Sequence, residues 1–281
     1  MSFWQLMQRL DRRIIYTLIF VSVIIPTLFP LKLPTAVTPE TMSFFNAVDS
    51  LPAGSRILFP FDCWPSTRAE TEPMAVAALR HCFRKNLRVV GLSNVGMGGP
   101  SVLENVMNRI AEENGKVYGV DYVNLGYKAN YQAVLLGMGS SIETIFPADH
   151  RGTRLADLPL MREVPNYDSL VYTVIVSDNA MIDYWVSLVN ARYSMPMVAG
   201  VTAVMAPKQM SYVQAGQLQG LLGGMKGAAE YETLVGAVDK ANRGMDSQSL
   251  IHLLIIGFIV LGNVGYFMTR NDKREYHGER G

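Results

Sequence analysis

Two charge-free apolar runs, one near each end of the chain, constrain this sequence more than any other feature. Residues 14–31 read IIYTLIFVSVIIPTLFPL, 18 residues without a charge, and residues 250–268 supply 19 more. About 20 apolar residues cross the ~30 Å hydrocarbon core of a bilayer. One such run would also fit the buried core helix of a soluble protein. Two at opposite termini predict two transmembrane helices. The first is too long for the apolar part of a cleaved signal peptide and has no A-x-A-like site after it, so it reads as an uncleaved anchor. Pro26 and Pro30 fall at its far end, where a kink or stop suits an exit from the membrane.

The flanking charges give an orientation. Arg9, Arg12 and Arg13 precede the first run, and Arg270, Lys273 and Arg274 follow the second. Cationic flanks stay in the cytoplasm. The expected layout is a cytoplasmic tail at 1–13, a first span at 14–31, a periplasmic or extracellular domain at 32–249, a second span at 250–268 and a cytoplasmic tail at 269–281. The lipid bilayer is the first expected partner. Setting aside the seven basic and four acidic residues of the tails leaves 18 Lys and Arg against 20 Asp and Glu. That balance has no basic excess with which to displace phosphate counterions, so no nucleic-acid partner is expected. Cys63 and Cys82 lie in the outer segment, where a disulfide is permitted. Without a C-x-x-C, two separately buried thiols are the favoured reading. No H-E-x-x-H and no Cys/His zinc spacing occurs, so neither a metal nor a cofactor is expected.

Between the spans, short apolar runs alternate with helical patterns. Residues 55–63, 87–95, 120–128, 169–178 and 195–204 read as five strands, and 132–139 as a short helix or strand. The strands are continuously apolar rather than alternating, which marks a sheet covered on both faces. Helices are expected after residue 38, with Thr38 as N-cap and Pro39 in the first turn. Others are expected after Thr67 and after Ser101, each with a capping-box glutamate, Glu70 or Glu104. Pro73 points to a later start for the second of these, and Asn86 stands at its end. The expected fold is α/β: a mainly parallel, Rossmann-like sheet domain flanked by an N-terminal and a C-terminal transmembrane helix.

In open parallel sheets ligands bind outside the carboxyl ends of the strands. That rule gathers Asp62-Cys63-Trp64 with Ser66 and Thr67, Ser93-Asn94 with Gly96 to Ser101, Gly126-Tyr127-Lys128, Ser177-Asp178-Asn179, and Thr202 with Lys208. The segment SNVGMGGPS (93–101) ends a strand and opens a helix. Its free amides, around Gly98, Gly99 and Ser101, suit an anion, and a purely structural turn is the competing reading. It is neither G-x-G-x-x-G nor a Walker A loop. Asp62 and Asp178 are candidates to hold a ligand or to cap the following helix, with Asn179 beside the second. Lys128 is a candidate counter-charge for an anion. No G-x-S-x-G is present, and the remaining nucleophilic option pairs Ser93 or Ser140 with Lys128 or Lys208.

Residues 215–232, AGQLQGLLGGMKGAAEYE, place Gly216, Gly220, Gly223, Gly224 and Gly227 at spacings of three and four. On a helix they form a smooth stripe. Glycine costs up to ~1 kcal/mol in a helix interior, so the stripe needs a close contact with the domain's sheet, another subunit or the membrane surface. Gly257, Gly262, Asn263 and Gly265 in the second run suit helix pairing. The strings VDYVNLGYK, TIFPADHRGT and GQLQGLLGGMKGAAEYE resemble an uncharacterised family of prokaryotic two-span membrane proteins with an extracytoplasmic α/β domain, over about half the chain. That resemblance implies the architecture and carries no activity or site residue. The resulting expectation is a non-enzymatic oligomeric subunit of a membrane complex whose outer domain binds a partner protein or a small anionic ligand. A membrane-anchored Ser-Lys hydrolase and an extracytoplasmic ligand sensor are the alternatives.

Overall fold

The computed structural model of the chain describes residues 11–29, 31, 33 and 36–278, the last ten as backbone only. Arg9, Pro30, Lys32 and Pro34 lie outside the described residues, as do the side chains of Arg270, Lys273 and Arg274. The chain divides into two units. One is Thr35–Asn242, and the other combines Met1–Pro34 with Arg243–Gly281.

The first unit is built on six strands: β1 (Arg56–Asp62), β2 (Arg88–Ser93), β3 (Tyr122–Tyr127), β4 (Tyr172–Ser177), β5 (Met197–Val201) and β6 (Leu221–Gly223). They form one sheet in the order β3-β2-β1-β4-β5-β6, and every neighbouring pair is parallel. This is the Rossmann-like arrangement, with strand order reversing between β1 and β4. Every residue of β4 and β5 is buried, as are all but the first of β1 and β2. That is why the strands read as unbroken apolar runs. Pro60 sits inside the central strand β1. The register of β1 with β4 is kept at Ile57, Leu58, Phe61 and Asp62 and skipped at Phe59 and Pro60, where proline has no amide to give.

In chain order the main helices are α1 (Arg12–Leu28), α2 (Pro39–Asp49), α3 (Arg68–Arg84), α4 (Gly99–Glu113), α5 (Tyr131–Gly137), α6 (Met181–Tyr184), α7 (Ala206–Gln214), α8 (Gly224–Val235) and α9 (Lys240–Gly278). Helix α6 continues through a π-helical turn, Trp185–Asn190. Leu58, Val90, Val123 and Ile175 join α5 and α6 in one core, which includes the fully buried Trp185. Helices α3, α4 and α8 pack on the sheet as well. Each fully buried aliphatic or aromatic side chain contributes about 1.5–3 kcal/mol, so such a core holds the sheet without a cross-link. Cys63 and Cys82 are both free, buried thiols.

Several local expectations change. Residues 131–137, which read as either helix or strand, are helical. Helix α3 starts at Arg68 and carries Pro73 within it. Helix α4 starts at Gly99 with Gly98 as N-cap at φ +84°, so Ser101 lies inside the helix. Glu104 makes no capping box and instead meets Asn124 and Arg151. The glycine stripe is not on one helix, because β6 interrupts it. Gly216 lies in the loop before β6 at φ +72°, and the others approach their own unit. A Cβ on Gly220 would lie 2.3 Å from the Phe44 amide nitrogen, one on Gly224 2.7 Å from Ala203, one on Gly227 2.9 Å from Leu222 and one on Gly223 3.0 Å from Ala206. The close contact those glycines require is therefore found inside the fold.

Two buried glutamates on α8 fasten the ends of this unit. Glu230 accepts from the Thr38 amide at 2.9 Å and the Thr38 hydroxyl at 2.7 Å, and pairs with Lys226. Glu232 accepts from the amides of Asp239, Ala241 and Asn242 at 2.9–3.0 Å and from Asn242 Nδ2 at 2.8 Å. It thereby satisfies the first donors of α9. The chain enters and leaves the α/β unit at points held two residues apart on one helix.

The second unit pairs α1 with α9. Ser247 Oγ lies 3.3 Å from the Val23 carbonyl, and the amides of Leu31 and Leu33 donate to Asp246 at 2.8 and 3.1 Å. Phe20, Ile25, Phe29, Leu253, Ile256, Ile259 and Phe267 are all exposed on this unit. Among the described residues one helical stretch, Lys240–Met268, is long and apolar enough to cross a membrane. The first expected span is helical only to Leu28. At 1.5 Å per residue its 17 residues reach about 25 Å, short of the hydrocarbon core.

Candidate functional site

β1 and β4 stay paired to their last residues, Asp62 and Ser177, and where the strand order reverses the loops that follow them part and leave a crevice. Asp62 ends β1 there and is fully buried. Its Oδ1 accepts from the Asn94 amide at 2.6 Å, its Oδ2 accepts from Trp185 Nε1 at 2.8 Å, and Asn94 Nδ2 reaches both oxygens at 3.2 Å. One carboxylate therefore ties together β1, the loop after β2 and the π-helical turn after α6. Such turns recur at functional sites; this one begins at Trp185. Burial pushes the Asp62 carboxyl up to about 6, against the pull of hydrogen bonds from Asn94 and Trp185 and with a further push from Asp178.

Asp178, just after β4, works across the same crevice. Its Oδ2 accepts from the Trp64 amide at 2.7 Å and lies within hydrogen-bond distance of Thr67 Oγ1, while Oδ1 accepts from Asn179 Nδ2 at 2.9 Å. Thr67 thus meets Asp178 and the Trp64 carbonyl rather than capping α3. Asn179 donates to the Asp62 carbonyl at 2.8 Å, and its Oδ1 receives the Met181 amide at the start of α6. Neither rim acid caps the helix after its strand, and Asn179 forms only a turn with the Met181 amide ahead of α6, whose N-cap is Ala180. Asp62 and Asp178 are braces between loops.

Above these braces lies a cleft of about 440 Å³ lined by Trp64, Asn94 to Met97, Tyr127, Asn179 to Met181, and Tyr184. Its rim is aromatic and apolar. Trp64 is 43%, Met97 69% and Tyr127 46% exposed, and each comes from the loop or end of a different strand. Asn94 Oδ1 has no hydrogen-bond partner among the described residues. No lining residue is cationic.

The structure therefore brings together Asp62, Asn94, Asp178 and Asn179. Ser93 lies beneath them, buried, with its Oγ 3.2 Å from the Val95 carbonyl. Gly99 leaves room for it, since a Cβ there would sit 2.4 Å from Ser93 Oγ. Gly98 turns the chain toward α4, and Ser101 is exposed on that helix, away from the cleft lining. Lys208 is paired with Asp183 at 2.6 Å. Lys128 lines a neighbouring cleft with His150. The residues that sequence reasoning passed over are Trp185, Met181 and Tyr184. Their signal was position: they fall in the first turns after Asp178-Asn179, where a helix following a strand faces the rim.

No family model matches the chain, and no curated protein matches it. Among solved structures, a trehalose-6-phosphate synthase, OtsA, is similar at 11% identity, covering 88% of this chain and 49% of that one, with a TM-score of 0.33. This chain thus spans about half the length of that one. A likeness of this strength carries no argument about activity.

Proposed function

We propose that the chain is a membrane-tethered, non-enzymatic binding protein whose α/β unit takes an apolar or aromatic group of its ligand or partner into the cleft between β1 and β4. One observation carries the reading: the rim exposes Trp64, Met97 and Tyr127 around a floor whose two carboxylates are already spent on internal hydrogen bonds. A general acid or base must reach a reacting atom, and Asp62 is fully buried beneath Asn94 and Trp185. Ser93 is likewise buried, and Lys128 and Lys208 make no bond to it. The hydrolase reading draws no support from these contacts. With two carboxylates below and no cation in the lining, the cleft favours a neutral ring or chain over an anion.

The tether follows from the second unit. Left in water, each of its exposed large side chains costs about 1.5–3 kcal/mol relative to burial, and a bilayer removes that cost. With α9 as the span, the C-terminus is then cytoplasmic and the α/β unit lies outside, in keeping with the basic residues that follow the second run. A reporter fused to the C-terminus is expected to be active only in its cytoplasmic form; activity of the external form would reverse the topology.

The binding reading is tested by native mass spectrometry of the full chain after mild extraction. The wild type is expected to carry a bound species that Met97→Asp and Trp64→Ala lose. Retention of the same species by both variants would refute it. A second reading, assembly through α9, is favoured by Gly257 and Gly262, where an added Cβ would meet open space, as bare helix surface suits close packing in lipid. Crosslinking in detergent that yields only monomers counts against it.

A further inference from the structure

Charged side chains in the α/β unit are, with few exceptions, committed. Of its six lysines, Lys85 pairs with Asp49, Lys116 with Asn86, Lys208 with Asp183, Lys226 with Glu230 and Lys240 with Glu72. Lys128 makes no hydrogen bond or ion pair with any described residue. It follows β3 directly and lines a cleft of about 450 Å³ together with His150, Phe146, Pro147 and Tyr127. His150 is positioned through its backbone: its amide donates to the Asn124 carbonyl at 2.8 Å. Its Cβ packs against Gly126, where φ is +82° and an added Cβ would stand 3.3–3.5 Å from His150. The imidazole is left without a hydrogen-bond partner among the described residues. The one carboxylate in the lining, Asp149, is buried and occupied by the Tyr118 hydroxyl at 2.6 Å and the amides of Arg151 and Thr153 at 2.9 and 2.8 Å.

Tyr127 lines both this cleft and the aromatic cleft between β1 and β4. From this we infer that the two form one composite site for an organic anion, its aromatic body over Tyr127, Met97 and Trp64 and its acidic group over Lys128 and His150. The inference rests on the binding reading above and adds the ligand's charge to it. It also gives Lys128 the counter-ion role anticipated for it, at the neighbouring cleft rather than over the carboxylates Asp62 and Asp178.

The test uses the full chain in detergent, titrated calorimetrically with 2-naphthoate and with its neutral isostere 2-naphthamide. Naphthoate is expected to bind about fivefold more tightly, the size of a partly exposed ion pair. Lys128→Ala and His150→Ala should each move naphthoate toward the affinity of the amide and leave the amide unchanged. Tyr127→Ala should weaken both probes. Lys116→Ala, which removes the same charge elsewhere, should alter neither. Equal affinities, or indifference of naphthoate to both rim substitutions, would overturn the inference and leave the cleft reading standing. If neither probe binds even at millimolar concentration, the cleft reading falls with it.

Discussion

Two buried carboxylates, Asp62 at the strand rim and Glu230 on α8, have opposite electrostatic fates. Burial pushes both upward. At Glu230 the Lys226 ammonium and the Thr38 amide and hydroxyl more than offset it, and the carboxyl stays below its ordinary range. Asp62 has only the neutral donors of Asn94 and Trp185, with Asp178 nearby, and lies at about 6. Where the chain enters the unit, the fold neutralises its buried charge. Beneath the cleft it leaves that charge uncompensated. Strongly perturbed groups in clefts mark functional sites more often than structural ones, and here the perturbed group is the brace under the cleft.

The largest effect should come from removing that brace. Asp62→Ala orphans the Asn94 amide and the Trp185 indole and, measured below about pH 6 where the folded carboxyl keeps its proton, is expected to cost about 3 kcal/mol from the two unsatisfied donors. Glu230→Gln, which keeps an oxygen for Thr38 and leaves Lys226 to water, should cost about 1 kcal/mol. Chemical denaturation of both variants checks the order, and a larger loss at Glu230 would break the comparison.

The pH dependence sharpens it. Asp62 lies at about 6 in the folded state, above its ordinary 3.8. The folded state therefore holds the extra proton between these values, and stability from this group falls as pH rises through that window. The cost is fully present above about 6 and amounts to roughly 3 kcal/mol for two units. Glu230 has the reverse sign: its contribution is present above its ordinary 4.5 and is lost as pH falls through its lower folded value. Melting curves should thus show Asp62→Asn gaining stability relative to wild type as pH rises from about 4 to about 6, a trend that Glu230→Gln does not reproduce.

His81 should give a smaller effect. Burial lowers it despite Asp49 at 3.2 Å. Since Asp49 only accepts, Nε2–H donates to it, and Nδ1 accepts the Tyr231 hydroxyl at 2.7 Å. Below its ordinary 6.5 the unfolded chain takes up a proton first, so stability is lost as pH falls, and His81→Gln should flatten that loss as pH drops below 6.5. The smallest effect is expected at the rim itself. Met97→Asp should change stability by no more than about 0.5 kcal/mol while removing the bound species.

Much of the sheet was legible because apolar strands buried on both faces cannot hide. Arg56–Asp62, Arg88–Ser93 and Tyr172–Ser177 each fall inside the expected run. Strand β6 was not legible, since three residues between glycines look like part of a helical stripe. What distinguishes them is tertiary: Gly220 must let Phe44 approach, and Gly224 adopts φ +62°. Asp62 and Asp178 were legible as rim residues by position. That they brace loops rather than cap helices depends on Trp185 and Thr67 meeting them across more than 100 residues of sequence, which no local pattern encodes. Trp185 itself was hidden because a tryptophan at helical spacing reads as core, which it also is.

The central claim is that this chain meets its ligand or partner at the carboxyl rim of the sheet, and not at the opposite edge, where Val171 is 45% exposed. Photo-crosslinking in the native membrane from a benzophenone side chain at Met97 or at Val171 compares the two edges directly. A covalent adduct of defined mass from Met97, with none from Val171, is the predicted result. An adduct from Val171 alone, or equal adducts from both, would contradict it.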